Sequence, residues 1–121
     1  MPNKVLVVED NDDAREILKL LLLQEGYNIV TAEDGNDGLE KAKAEFPHLI
    51  VTDLHMPGLH GLELIKHLRQ IPELSKIPIL ILTADVDGKE QAIEAGASSV
   101  LIKPTGYEKL AETIKHLLEM S

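Results

Sequence analysis

Val5-Leu6-Val7-Val8-Glu9-Asp10 decides the fold: a short, unbroken apolar run that ends on acid. The figure returns as Leu49-Ile50-Val51-Thr52-Asp53, as Ile79-Leu80-Ile81-Leu82-Thr83 and as Val100-Leu101-Ile102-Lys103. Runs of this length, rich in Val and Ile and lacking polar alternation, read as strands buried on both faces of a parallel sheet. Helix-like segments separate them. Ligands of an open parallel α/β sheet bind in the crevice beyond the carboxyl ends of its strands. Glu9, Asp10, Asp53, Thr83 and Lys103, distant in sequence, should therefore meet on one rim.

Outward from these runs, strand and helix alternate to the end of the chain. A strand over about 4–8 leads to a helix over about 13–25, stopped by Gly26 just past its end. A strand near 28–32 precedes a helix near 36–45, which ends before Pro47. The strand at about 48–52 runs into a loop holding Pro57, Gly58 and Gly61, and a helix near 62–70 ends at Pro72. A strand over 77–82, a helix over 87–95 with Gly96 as its stop, a short strand over 99–102 and a helix over 107–119 complete the chain. Five βα units fill 121 residues as one domain, residues 1–121, with no room for a second. A closed eight-stranded barrel needs about twice the length. A doubly wound, five-stranded open parallel sheet with five helices is the natural α/β solution. The second strand offers none of the five rim residues, which suits the sheet's edge.

Composition excludes several functions. The formal net charge is −9, so no cationic surface exists to displace counterions from nucleic acid, and direct nucleic-acid binding is not expected. Tyr27, Phe46 and Tyr107 are the whole aromatic complement, too few for a base-stacking platform. There is no cysteine, hence no disulfide, zinc–thiolate site or thiol catalysis. The apolar run after Lys4 is too short for a signal peptide, and Leu20 to Leu23 cannot span a bilayer. No membrane contact is expected, and a cytoplasmic location is the default.

The rim residues carry the chemistry. Glu9, Asp10 and Asp53 repel one another, so the cluster calls for a cation or a proton. Mg²⁺ takes oxygen ligands, keeps several waters and commonly joins one or two carboxylates to a phosphate; Asp10 and Asp53 suit direct contact, with Glu9 reaching through water. The plainer alternative is capping, since Asp10 or Asn11 could cap the helix that begins near Asp12. Asp53 alone reads as a solvated turn residue before Pro57-Gly58, Thr83 as a β-propensity choice and Lys103 as a surface lysine. Placed together they read differently. Asp53 follows a continuously apolar strand and is a candidate nucleophile, because carboxylates form phosphoryl anhydrides. The Thr83 hydroxyl can donate to one phosphoryl oxygen and the Lys103 ammonium can neutralise another.

Val7-Val8-Glu9-Asp10-Asn11, Asp53-Leu54-His55-Met56-Pro57-Gly58 with Gly61, Thr83-Ala84, Ala95-Gly96-Ala97 and Lys103-Pro104 together closely resemble the receiver domain of bacterial response regulators. The resemblance spans Lys4 to about Glu119. It implies a flavodoxin-like sheet of order 2-1-3-4-5, with Asp53 as the phosphorylated residue. It also implies an acidic pocket of Glu9 and Asp10, and Mg²⁺ held by Glu9, Asp10, Asp53 and the backbone carbonyl of His55. Thr83 would bind the phosphoryl group on switching, Lys103 would pair with it, and the Lys103–Pro104 peptide would be cis. The donor would be a phosphohistidine on a sensor histidine kinase or histidine phosphotransfer protein, acting through the early part of the first helix and Pro104-Thr105-Gly106. The downstream effector is not named by the sequence. Two features depart from the family: Val100 stands where an aromatic residue is frequent, and the stretch from Thr83 to Lys103 is a couple of residues short. The phosphorylation chemistry needs neither; the route to the output face is what they alter.

Two rivals share parts of this pattern. A haloacid-dehalogenase-like phosphatase would use Asp10-Asn11-Asp12 as its D-x-D element, but no acidic pair follows Lys103 before the last helix, and Asp53 would have no role. A calcium loop over Asp10 to Asp13 fails on spacing, because Arg15 and Leu21 stand where Gly and Glu are needed. His55, His60 and His67 read as exposed histidines rather than a metal site.

Overall fold

Strands β1 (Lys4–Val8), β2 (Asn28–Ala32), β3 (Leu49–Thr52), β4 (Ile79–Thr83) and β5 (Ser99–Ile102) form one parallel sheet in the order β2-β1-β3-β4-β5. The computed structural model describes residues 3–120; residues 1, 2 and 121 of the expected domain lie outside the description. Helices α1 (Asp12–Gln24), α2 (Gly35–Glu45), α3 (Gly61–Gln70), α4 (Lys89–Ala95) and α5 (Gly106–Met120) follow the strands in turn. This is the flavodoxin-like, doubly wound arrangement. The strand order steps from β1 outward to β2 and then back across to β3, which creates the crevice at the carboxyl ends of β1 and β3.

The unbroken apolar runs are explained by two cores. Val5, Val7, Leu49, Val51, Leu80 and Leu82 pack with Leu18 and Leu22 of α1 and with Leu110 and Ile114 of α5. The intervening Leu6, Val8, Ile50, Ile79, Ile81 and Val100 pack with Ala42, Leu64, Ile65, Leu68 and Ala92 on the other side. Successive side chains alternate between faces, and both faces are covered, so every position must be apolar.

The structure shifts several expected boundaries. β4 starts at Ile79, because Pro78 has no N–H and enters the ladder only by accepting from Ile50 N through its carbonyl. It also extends through Thr83, which is therefore the last strand residue. A 3₁₀ turn over Pro72–Leu74, absent from the sequence reading, buries Leu74. Another over Val86–Gly88 precedes α4, which is only seven residues long. The α1 stop is as expected: Gly26 has φ +90° just beyond the Glu25 cap, a conformation that glycine adopts without strain.

Candidate functional site

Register brings the rim residues together. Val8 pairs with Thr52 across β1 and β3, so the next residues, Glu9 and Asp53, leave the sheet side by side. Thr83 pairs with Ile102, and the Lys103 N–H donates to the Thr83 carbonyl at 2.8 Å. From that anchor the Lys103 side chain crosses the rim. Its Nζ donates to Glu9 Oε1 at 2.9 Å and to Asp53 Oδ2 at 3.2 Å. Asp53 Oδ1 accepts from Leu54 N at 2.6 Å and, at longer range, from His55 N at 3.4 Å. The carboxylate is thus fixed through both oxygens. The Lys103–Pro104 peptide is cis, as the resemblance implies.

Glu9 is the buried member, 2% exposed. Its Oε2 accepts from Asp10 N at 3.1 Å. Desolvation pushes its pKa up, the Lys103 hydrogen bond and charge pull it down, and Asp53 and Asp10 push it up again; the net position is above the ordinary 4.5. For Lys103, desolvation pulls the pKa down, but the hydrogen bonds and charges of Glu9 and Asp53 outweigh it, and the net position is above the ordinary 10.5. The capping alternative resolves in favour of Asn11, whose side chain accepts from Ala14 N at 2.9 Å. Asp10 is exposed and is not the cap.

Two carboxylates, Glu9 and Asp53, face one ammonium here, with the Asp10 charge acting on Glu9, and the candidate donors are all oxygens, the kind a hard divalent cation takes. Among the described residues no three His, Cys, Asp or Glu side chains are grouped closely enough to hold a metal ion by themselves.

Gly61 allows α3 to start against the phosphoacceptor candidate's turn. Its N–H donates to the Leu54 carbonyl at 2.8 Å, and a Cβ there would lie 2.4 Å from the Asp53 carbonyl oxygen. Thr83 is 1% exposed, and its hydroxyl oxygen accepts from Asp85 N at 3.2 Å. The side chains of Glu9, Asp53 and Lys103 thus form one hydrogen-bonded group, joined by the backbone N–H of Asp10, while the Thr83 hydroxyl is engaged with the loop that follows it.

Sequence reading missed Asp85 entirely and left the histidines as isolated loop residues. His55 Nε2 lies 2.6 Å from Asp85 Oδ2, and His60 Nε2 lies 3.2 Å from His55 Nδ1. The hydrogen bond with His55 is the main reason that the Asp85 carboxyl is held below the ordinary 3.8, over a smaller opposing desolvation. A signal was available: His55 and Asp85 stand two positions after Asp53 and Thr83, at the ends of adjacent strands.

A family model described as the response regulator receiver domain matches residues 5–115. The chain belongs to that family. Over 117 residues it is 37% identical to the response regulator ArlR of Staphylococcus aureus, covering 95% of this chain and 52% of that protein. The chain therefore spans about half the length of the curated relatives it matches. Among solved structures, the chemotaxis response regulator CheY4 of Vibrio cholerae superposes with TM-score 0.90 at 32% identity, covering 97% of this chain and 99% of that one. The receiver domain of a signal transduction histidine kinase from Syntrophus aciditrophicus superposes with TM-score 0.89 at 31% identity, covering 97% and 90%. Receiver domains relay phosphoryl signals. Among the described residues of this chain no helix is long and apolar enough to cross a membrane.

Proposed function

We propose that this receiver domain accepts a phosphoryl group on Asp53 from a phosphohistidine donor, in a Mg²⁺-dependent reaction. The observation that carries the reading is the two-point contact of Lys103 with Glu9 and Asp53, which builds a charged, partly desolvated rim around one positioned carboxylate. An Asp53 oxygen bonds to phosphorus as the donor's P–N bond breaks. The electron pair returns to the imidazole, which takes up a proton. Leu54 N, holding Oδ1, fixes the carboxylate's orientation, which removes the entropic cost of aligning the nucleophile. Lys103, already on Asp53, is placed to neutralise charge on a phosphoryl oxygen. Asp10, Asp53 and the His55 carbonyl would hold Mg²⁺, with Glu9 beside them. When bound, the metal supplies further neutralisation of charge on the transferring group.

Thr83 is the switching residue in this reading. Its hydroxyl accepts from Asp85 N, a bond that does not consume its own proton. Turning that proton to a phosphoryl oxygen gains a charge-assisted hydrogen bond and draws the following loop with it. Downstream effectors would read the displaced surface. The cognate kinase or phosphotransfer protein belongs to the same proposal, as does the extent of the domain over residues 1–121. Incubation with a radiolabelled small phosphodonor tests the chemistry. Asp53→Ala should abolish acid-labile label and chelation of Mg²⁺ should nearly do so; full labelling of Asp53→Ala would end the proposal.

A further inference from the structure

The histidine pair beside the rim is wired in one direction. His60 caps α3, and its Nδ1 faces the Leu62 N–H at 3.4 Å. A backbone N–H only donates, so that nitrogen is the acceptor and the His60 proton sits on Nε2. His60 Nε2 then donates to His55 Nδ1, 3.2 Å away, which puts the His55 proton on Nε2, 2.6 Å from Asp85 Oδ2. Two neutral imidazoles thereby satisfy every link without a clash of donors. The chain continues past the carboxylate. Asp85 Oδ1 accepts from Gly88 N at 3.1 Å, capping the 3₁₀ turn, and Asp85 N donates to the Thr83 hydroxyl at 3.2 Å. One continuous path runs from the first turn of α3 to the switching hydroxyl.

At its other end, α4 is tied to the same helix. Arg69, in the last turn of α3, donates to the Gly96 carbonyl from Nε at 3.0 Å and from its Nη2 at 2.8 Å. Its Nη1 donates to the carbonyls of Ser75 and Ile77 at 3.0 and 2.6 Å. The Arg69 tie puts two charge-assisted bonds on Gly96 from a half-buried guanidinium that two further bonds to Ser75 and Ile77 hold in place, whereas the His55 side chain is 60% exposed. The tie at the carboxyl end of α4 is therefore the stronger, and the one near its start is the one that can yield.

We propose that His60, His55 and Asp85 form a releasable strap that holds the loop after Thr83 in its resting position, with the Arg69–Gly96 contact as the fixed end about which α4 swings. This device rests on the switching role given to Thr83 above. The 2.6 Å His55 link fixes Asp85 at its resting place, so any displacement of Asp85 with Thr83 works against it, and the strap opposes activation and sets its threshold.

Two substitutions weaken the strap, and the first of them spares the helix cap. In His60→Ser the hydroxyl still caps α3 but cannot reach His55. In Asp85→Asn the amide oxygen can serve Gly88 N or His55 Nε2, while its NH₂ cannot accept from the other. Both variants should show amide hydrogen exchange at 86–90 faster than the parent by about three- to tenfold, measured on the free protein. Both should also bind beryllofluoride in the presence of Mg²⁺ several-fold more tightly, because less must be broken to reach the active state. In the unmodified protein in mildly alkaline buffer, imidazole nitrogen spectra should show the Nε2–H tautomer at both His55 and His60. Unchanged exchange in His60→Ser, weaker beryllofluoride binding in either variant, or an Nδ1–H tautomer at His55 would each overturn the strap. If the unmodified protein bound no beryllofluoride, the phosphoacceptor reading would fail, while the tautomer and exchange measurements would still decide the strap by themselves.

Discussion

At the scale of single residues, the rim is governed by a shortage of positive charge. Lys103 serves two carboxylates, and Glu9, the more deeply buried of them, titrates above its ordinary 4.5 even with that ammonium beside it. A carboxyl whose folded pKa is raised contributes stability that is fullest below the unfolded value and is lost as pH rises through the folded one. Replacing Lys103 with Met removes the influences that pull Glu9 down, so Glu9 should titrate higher still. At neutral pH the variant should lose on the order of 3 kcal/mol, the scale for stranding a buried charge. The deficit should shrink as pH falls and Glu9 takes up its proton. Urea denaturation across acidic pH, with carboxyl carbon shifts of Glu9, would check this; a pH-independent deficit would refute it. Lys103 adds the opposite arm: its raised pKa gives stability that persists through neutral pH and fades only above the ordinary 10.5.

At the scale of elements, α1 shows what sequence pattern settles and what it leaves undetermined. Its leucines predict an amphipathic helix, and helical spacing alone allows a core face centred on Ala14, Leu18 and Leu21. The buried pair is instead Leu18 and Leu22, with Leu21 37% exposed. Both choices satisfy helical spacing. In the fold Leu22 takes the core position, in the cluster against which the partly buried Tyr27 and Ile29 pack beyond the Gly26 turn. Leu22→Ala should therefore cost about 2–5 kcal/mol, and Leu23→Ala, at an exposed site, within about 0.5 kcal/mol. Thermal or denaturant unfolding distinguishes them. Ile17 is half exposed, so Ile17→Ala should leave the fold intact. If the early part of α1 faces the kinase, that substitution should slow transfer from a phosphorylated kinase and spare labelling by a small phosphodonor; equal loss of both would place the fault elsewhere. The strands were legible because burial on both faces forces continuous apolar runs, and the place of the five candidate rim residues was legible because strand ends are fixed by those runs. Neither 3₁₀ turn nor the His60–His55–Asp85 chain was, since each depends on loop paths that carry no periodicity. Nor could spacing alone say that Asn11, and not Asp10, caps α1.

At the scale of the whole molecule, a signal from Asp53, on the proposed reading, must travel through a sheet that cannot easily give. Strands β1, β3 and β4 are packed on both faces, and close-packed interiors respond by discrete shifts of less constrained pieces, not by smooth bending. In many receivers an aromatic side chain on β5 supplies the moving piece. Here Val100 holds that position, only 8% exposed and packed in the α3–α4 core. It is already inside, and its branched side chain has one restricted rotor, so it has no exposed-to-buried swing to make. The less constrained piece lies one strand away. It comprises Ala84, the 3₁₀ turn with Val86 64% exposed, and the seven-residue α4 with Ile93 46% exposed. Few buried contacts hold this segment, and it begins at the Thr83 hydroxyl. Binding of beryllofluoride should consequently perturb backbone amide shifts most strongly over Ala84 to Glu94, with β5 responding no more than its neighbours do. A response centred on Val100 and the rest of β5 would mean that the sheet edge, not the α4 segment, carries the signal outward. The extent of the shift is bounded by how much more strongly the phosphoryl group binds the moved Thr83 than the resting one, so weak acceptors should move the same segment by a smaller population and not by a different path.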